Sequence, residues 1–223
     1  MEWQATNRGV IAKALFAVCV VGAALVMGTG AAAGRGHRAR CAPAHSETVA
    51  RDRDVRVYSL AGKAPGHEGT YACLLHSGST IALAKPRRYR PDSIGHIVLA
   101  GRIVAYTDGT HGVDTGSTGI VVVNVAARRT LLTIPGVGGF IDACVISFRD
   151  VIDLVVTDRG SVAWIVRKGA NCRTTTFEVH SAHASGAQSL LEEGPAIAPG
   201  SLRVSGQTAS WENGGQRRSA SLA

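Results

Sequence analysis

The sequence lacks the residue spacings that most enzyme and cofactor sites require. None of Ser161, Ser201 and Ser210 lies in a Gly-x-Ser-x-Gly element, the strained turn that presents a hydrolase nucleophile. The glycine-rich run from Pro135 to Gly139 is not followed by the helix that a phosphate-binding loop must open. No two cysteines have the spacing of zinc ligands. These absences favour a protein with no catalytic residues, cofactor or metal, although they leave enzymatic activity open.

Charged residues are absent from Ala14 to Ala33, and this stretch follows Arg8 and Lys13. The three alanines Ala31 to Ala33 resemble the cleavage site of a secretory signal peptide. We therefore expect residues 1–33 to be a signal peptide and the protein to be secreted or to lie in the extracytoplasmic cell envelope. The alternative is an uncleaved, single-pass membrane anchor, because about 20 uncharged residues are long enough to span a bilayer.

Helical periodicity is absent after this segment, and β-rich runs alternate with turn residues instead. The clearest hairpin is 153–165, in which two β-rich arms flank Asp158-Arg159-Gly160. Gly160 supplies the positive φ that a tight turn needs. Alternation in the second arm places Trp164 on one face together with its apolar neighbours two residues away, so its indole is expected to be buried.

The same pattern of a turn glycine followed by an aromatic residue recurs along the chain. It appears at Gly101 with Tyr106 and at Gly206 with Trp211, and more weakly in 78–83, which ends in Leu83. The three aromatics are 58 and 47 residues apart. Two hairpins in a unit of about 45 residues match the size of a propeller blade. The predicted fold is all-β, a β-propeller-like array of about four blade-like antiparallel units, some of them partial.

The predicted organisation has three parts. Residues 1–33 are the signal peptide or anchor, residues 34–54 are a charged entry segment with little structure of its own, and residues 55–223 are the β-propeller-like domain.

Three segments carry a resemblance to a known group of proteins. They are 160–165, 199–203 and 210–222, which begin Gly-Ser-Val-Ala-Trp, Pro-Gly-Ser-Leu-Arg and Ser-Trp-Glu-Asn-Gly-Gly. They resemble the repeats of uncharacterised exported bacterial proteins with β-propeller-like blades, and the likeness covers roughly residues 55–222. The resemblance implies an architecture and no activity.

Four cysteines follow the predicted signal peptide, namely Cys41, Cys73, Cys144 and Cys172. An even number in an exported chain indicates disulfides, and four cysteines allow three pairings. We favour Cys41 with Cys73 and Cys144 with Cys172, because the segments that carry the latter two open on the same face of a blade. Free buried thiols are the alternative.

The segment Asp114-Thr115-Gly116-Ser117 resembles the active-site loop of aspartic proteases, in which two carboxylates share one proton. The chain has no second loop of this kind and is short for a bilobed protease. We therefore interpret Asp114 as part of a polar inter-strand loop. A hydrolase assembled from several loops remains the alternative function, with Asp114-Thr115-Gly116 as its best candidate motif.

Two groups of residues contain side chains that can bind metals, and neither predicts a metal site. Asp108, His111 and Asp114 lack the glycine and acidic periodicity of a calcium loop. His180 and His183 would share one side only in a helix, and at the end of a strand their imidazoles diverge.

The chain is basic, with a formal net charge of +8. A basic exported protein adsorbs to anionic envelope polymers or lipid headgroups. Nucleic acid is not an expected partner, because the compartment is wrong and the aromatics are not interleaved with cations as base stacking requires. We expect a non-catalytic interaction module that binds a protein or an anionic cell-envelope polymer through blade-edge loops. A membrane is a partner only if the N-terminal segment is not cleaved.

Overall fold

The computed structural model describes residues 41, 43–60, 69–84, 93–112, 114–141, 147–171 and 173–223. All of them belong to one compact unit, Ala32–Ala223. The predicted signal peptide, Cys144 and Cys172 lie outside the described residues. Within the described ranges the regular structure is entirely β-strand, and no helix there could cross a membrane.

Fifteen strands form the described structure. In chain order they are β1 (Ser46–Arg51), β2 (Val55–Leu60), β3 (Gly69–Leu74), β4 (Thr80–Ala84), β5 (Ser93–Ala100), β6 (Ile103–His111), β7 (Thr115–Asn124), β8 (Arg129–Ile141), β9 (Ser147–Val156), β10 (Val162–Ala170), β11 (Arg173–Ala182), β12 (Gln188–Gly194), β13 (Arg203–Ser205), β14 (Thr208–Asn213) and β15 (Gln216–Ser221).

The strands form three antiparallel sheets in which each strand pairs with its neighbours in sequence. They are β1–β4, the eight-stranded sheet β5–β12 and β13–β15. Strands β8 and β9 pair only between Gly139–Ile141 and Ser147–Arg149, so the large sheet consists of two four-stranded halves with a short link. We call β1–β4, β5–β8 and β9–β12 the first, second and third groups, and β13–β15 the last sheet. The first strands of successive groups, β1, β5, β9 and β13, lie beside one another.

The hairpin predicted around Gly160 is present between β9 and β10. Gly160 has a φ of 91°, and its N–H donates to the Thr157 carbonyl at 3.0 Å. The turn between β14 and β15 is likewise determined by its own residues. Gly214 and Gly215 have φ values of 58° and 77°, as a two-residue type I′ hairpin turn requires.

Three layers of apolar side chains separate the groups, because the strands near the middle of the structure bury both faces. The layer between the first and second groups contains Val55, Val57, Ala72, Leu74, Val104, Tyr106, Val123 and Val125. The layer between the second and third groups contains Ile103, Ala105, Ile120, Val122, Ile134, Leu154, Val162, Trp164 and Val166. The layer between the third group and the last sheet contains Ala163, Ile165, Val179, Ile197, Leu202, Ala209, Trp211 and Leu222.

One aromatic residue on the second strand of each group faces the group before it. Tyr106, Trp164 and Trp211 do so in the three layers, and each is at most 4% exposed. Trp164 is therefore buried as predicted. In the first group the equivalent residue is Tyr58 on β2, which faces outward, and not Leu83, where the sequence pattern had placed the echo.

On the outer face of the first group, Cys41 packs against strands β2 and β3. Tyr58 stacks on Tyr71 with ring centroids 5.6 Å apart, and Cys41 and Cys73 pack beside them. Cys41 and Cys73 form a disulfide with a Cα–Cα distance of 5.5 Å, which confirms the first predicted pairing.

Strand β1 lies where the sequence indicated a charged segment with little structure. The buried Arg56 side chain fixes it, because its Nε donates to Thr48 Oγ1 at 2.8 Å and its Nη2 to Ser46 Oγ at 3.2 Å. The guanidinium also donates to the Cys41 carbonyl. A strand at the edge of a sheet, held by one arginine and largely exposed, has too few apolar residues to show in the hydrophobic pattern.

Candidate functional site

The outer face of the last sheet is the strongest candidate for a binding surface. Arg203 pairs with Ser210 across β13 and β14, and Glu212 pairs with Arg217 across β14 and β15. Side chains that pair directly, or that lie two residues apart on one strand, share a face. Arg203, Ser210, Glu212 and Arg217 therefore lie together, opposite the buried face that carries Trp211.

A turn over this face completes a cleft of about 460 Å³, which we call the arginine cleft. It is lined by Ala198, Pro199, Gly200, Ser201, Arg203, Trp211, Glu212 and Arg217. Pro199 and Gly200 occupy the central positions of a type II turn, and Gly200 has the positive φ that this turn requires, 71°. The Ser201 N–H closes the turn by donating to the Ala198 carbonyl at 3.3 Å.

Ser201 joins the turn to the sheet and is committed to structure. Its Oγ donates to the Ala198 carbonyl at 2.7 Å and accepts the Glu212 N–H at 3.1 Å. None of the described residues that line the cleft is a histidine. The described partners of the Ser201 hydroxyl are thus a backbone carbonyl and a backbone N–H.

The two arginines keep most of their donors available. Arg203 Nη1 donates to the carbonyls of Gly200 and Leu202, and Arg217 Nη2 donates to Ser210 Oγ at 3.3 Å. Neither forms a salt bridge with any residue in the described ranges. Two exposed guanidinium groups beside one carboxylate, Glu212, give the cleft an excess of positive charge and suit it to an anionic ligand.

Glu192 at the end of the third group anchors the last sheet from behind. It accepts hydrogen bonds from Trp211 Nε1 and from Asn213 Nδ2, the latter at 2.7 Å, and Arg218 Nε lies 3.8 Å away. These contacts join β14 and β15 to β12, on the side of the last sheet opposite the arginine cleft.

A second concentration of charge, around Glu178 on β11, is structural. Arg149 and Lys168 donate to its carboxylate at 2.8 and 2.6 Å, and His180 Nε2 lies 2.9 Å from it. Burial alone raises the pKa of Glu178, but the hydrogen bonds from Lys168 and His180 and the charge of Arg149 outweigh it, so the pKa lies below its usual value. The cluster joins β9, β10 and β11 at the end of the third group.

Asp114 lies at an exposed turn between β6 and β7, in agreement with its interpretation as part of a polar inter-strand loop. Strand β6 continues to His111 and β7 begins at Thr115, so the connection is a tight hairpin, and Asp108 belongs to β6. Gly116 is required by packing, since a Cβ there would lie 2.3 Å from the Phe140 ring. The motif Asp114-Thr115-Gly116 thus has a structural explanation.

No cluster of three or more metal-ligating side chains occurs in the part of the chain that the structure describes. His180 and His183 have separate partners: His180 stacks on Trp164 with ring centroids 5.3 Å apart, and exposed His183 bonds Ser185 Oγ at 3.0 Å. Each imidazole thus contacts its own neighbours.

Sequence reasoning did not find the arginine cleft, although it singled out both segments that build it, 199–203 and 210–222. The pairing register that brings Arg203 and Arg217 to one face is set across three strands. The Pro199-Gly200 turn was the only local signal.

Comparison with known proteins gives no match. No family model, no curated protein and no solved structure matches the chain.

Proposed function

We propose that the chain is an exported, non-catalytic interaction module that binds an anionic polymer of the cell envelope at the arginine cleft. The observation that carries the proposal is the pair Arg203 and Arg217 on one exposed face, with donors unused by any carboxylate in the described residues. Neighbouring strands lie about 4.8 Å apart, so the two arginines project from strands about 10 Å apart. This separation suits successive charges along a polymer better than a single small anion.

The architecture that we propose is a β-propeller-like array of about four blade-like units, related to exported bacterial proteins with such repeats. The adjacent first strands β1, β5, β9 and β13 support it, because they correspond to the inner strands of blades. A recurring hydrogen bond supports it as well. In three of the four units, the residue after the third strand donates its backbone N–H to a carbonyl in the turn between the first two strands. These residues are Leu75, Val125 and Leu222, and the distances are 2.9, 3.0 and 2.7 Å.

Export is the remaining part of the proposal. The Cys41–Cys73 disulfide supports it, because structural disulfides persist in oxidising compartments such as the periplasm and the extracellular space. The signal-like composition of residues 1–33 gives the same indication. We expect secreted or envelope-located protein with a new N-terminus near Gly34, and N-terminal sequencing of the exported material tests this. Intact Met1 on protein held in a membrane would favour the anchor.

Retention on immobilised dextran sulfate tests the binding site. We expect the oxidised protein to bind the anionic resin and not neutral dextran, and the binding to weaken between about 50 and 200 mM salt, because exposed charges are screened over about 10 Å at 0.1 M. The double variant Arg203→Gln with Arg217→Gln should bind about tenfold more weakly, since each exposed ion contact contributes about 0.7 kcal/mol.

A matched control has the same change of net charge elsewhere. Arg102→Gln with Arg129→Gln alters two other exposed arginines, one in the turn between β5 and β6 and one at the start of β8, and should bind almost as the parent does. Equal losses in both double variants would show that net charge alone causes retention and would refute the assignment to the arginine cleft. Asp114→Asn should change neither folding nor binding, and a hydrolase activity that this variant abolished would overturn the non-catalytic proposal.

A further inference from the structure

A second cleft, of about 440 Å³, lies where the first strands of the second and third groups meet. We call it the axial cleft. It is lined by Ile94, Gly95 and His96 of β5, Thr107 and Gly109 of β6, Thr118 of β7, Asp150, Val151 and Ile152 of β9, and Arg167 of β10. Its volume falls in the range of small-molecule sites, roughly 300 to 1,000 Å³.

Two β-bulges shape this cleft from opposite sides. The pairing of β5 with β6 shifts between Gly95 and Val98, and the pairing of β9 with β10 shifts at Ile152. His96 and Ile152, at the two irregularities, both line the cleft. His96 has a φ of 43°, a conformation that a non-glycine residue adopts at a cost. Bulges and strained residues of this kind redirect side chains and occur preferentially beside binding sites.

Arg167 is held in place by one side of its guanidinium. Its Nη2 donates to Asp150 Oδ2 at 2.7 Å, and its Cζ lies 5.6 Å from the centre of the Phe148 ring. Its Nε is buried and has no hydrogen-bond partner among the described residues. Because solvent does not reach Nε, a ligand oxygen would meet the exposed Nη1 end of the guanidinium, which donates to no described residue.

The chemistry of the walls restricts the ligand. A guanidinium binds a carboxylate through two donors in one plane, and Asp150 already balances one charge, which disfavours ligands with several negative charges. Ile94, Val151 and Ile152 supply apolar surface next to these polar groups. We infer that the axial cleft binds a small organic monocarboxylate, with Arg167 donating to the carboxylate and the isoleucines packing on its apolar body.

Calorimetric titration of the oxidised full chain with benzoate tests this inference, with benzamide as a neutral ligand of the same shape. We expect benzoate to bind with a Kd of about 1 mM and benzamide at least tenfold more weakly. Arg167→Gln should weaken benzoate binding at least tenfold, whereas Arg203→Gln in the arginine cleft should leave it unchanged.

A second variant separates ligand binding from a purely structural ion pair. Asp150→Asn removes the carboxylate that competes for Arg167, so benzoate should bind severalfold more tightly. The Arg167 and Asp150 side chains are 43% and 44% exposed, so neither change leaves a fully buried charge. Absence of benzoate binding at about 10 mM, equal affinity for benzamide, or weaker binding in Asp150→Asn would each overturn the inference.

Discussion

Replacing Trp164 or Trp211 by phenylalanine should change the free energy of unfolding by different amounts, although the two tryptophans have equivalent positions in the sequence pattern. Trp164 and Trp211 are 2% and 4% exposed and face the preceding group in the same way. Their indole N–H groups differ. Trp211 Nε1 donates to Glu192, whereas Trp164 Nε1 is buried and has no partner among the described residues. The loss of ring volume is the same in both variants, so the difference between them reports the N–H group.

The magnitudes follow from this difference. Removing the pyrrole part of a buried indole costs about 1 to 2 kcal/mol in lost packing. In Trp164→Phe the removal of an unpartnered buried donor returns about 1 to 3 kcal/mol, so the free energy of unfolding should change little. In Trp211→Phe the partly buried Glu192 loses a donor and adds about 1 to 3 kcal/mol to the cost. We therefore expect Trp211→Phe to be less stable than Trp164→Phe by at least about 2 kcal/mol.

Urea unfolding followed by circular dichroism measures these values. Trp164→Ala, expected to cost about 3 to 5 kcal/mol, and Arg129→Ala, expected to be almost neutral, calibrate the scale. Equal destabilisation by the two phenylalanine variants, or a larger loss in Trp164→Phe, would refute the reasoning from the indole partners.

Three further predictions concern the disulfide and two titrating groups. Non-reducing peptide mapping should find Cys41 linked to Cys73, and Cys73→Ser should cost about 3 to 4 kcal/mol, given the separation of 32 residues; unchanged stability would contradict this. Burial raises the pKa of Tyr106 from 10.0 to about 12, so stability should fall as pH rises above 10.0, and titration of phenolate absorbance should lose this late step in Tyr106→Phe. The pKa of Glu178 is lowered, so its contribution to the free energy of unfolding is present above the usual value of 4.5 and is lost as pH falls through the folded-state pKa. The free energy of unfolding of Glu178→Gln should therefore depend less on acid pH than that of the parent.

Features that a few neighbouring residues determine were predictable from the sequence. The hairpin at Gly160 needs only a positive φ between β-rich arms, and it is found. The Gly214-Gly215 turn forms for the same reason. Tyr58 was missed because the turn before it has no glycine. Asp52 Oδ1 instead accepts hydrogen bonds from the N–H groups of Asp54 and Val55, at 2.8 and 2.7 Å. This turn consists of charged residues, so it does not show the glycine-then-aromatic pattern.

Features that depend on register between distant strands were not predictable. The axial cleft requires β5 and β9 to meet at two bulges, and the Glu178 cluster requires side chains from β9, β10 and β11 to converge. Neither bulge has a distinctive residue type, since His96 and Ile152 are ordinary in composition. Alternation of apolar residues specifies which face is buried, and it does not specify which polar side chains meet.

The different ends of the stacked sheets determine how copies of this protein meet. Stacked β units of one kind offer each new copy a surface like the one just covered, and head-to-tail contacts of that type grow into filaments. Here the outer face of the first group carries Tyr58 beside the Cys41–Cys73 disulfide, and the outer face of the last sheet presents Arg203, Glu212 and Arg217 to solvent. A second copy would therefore meet a different surface at each end of the stack.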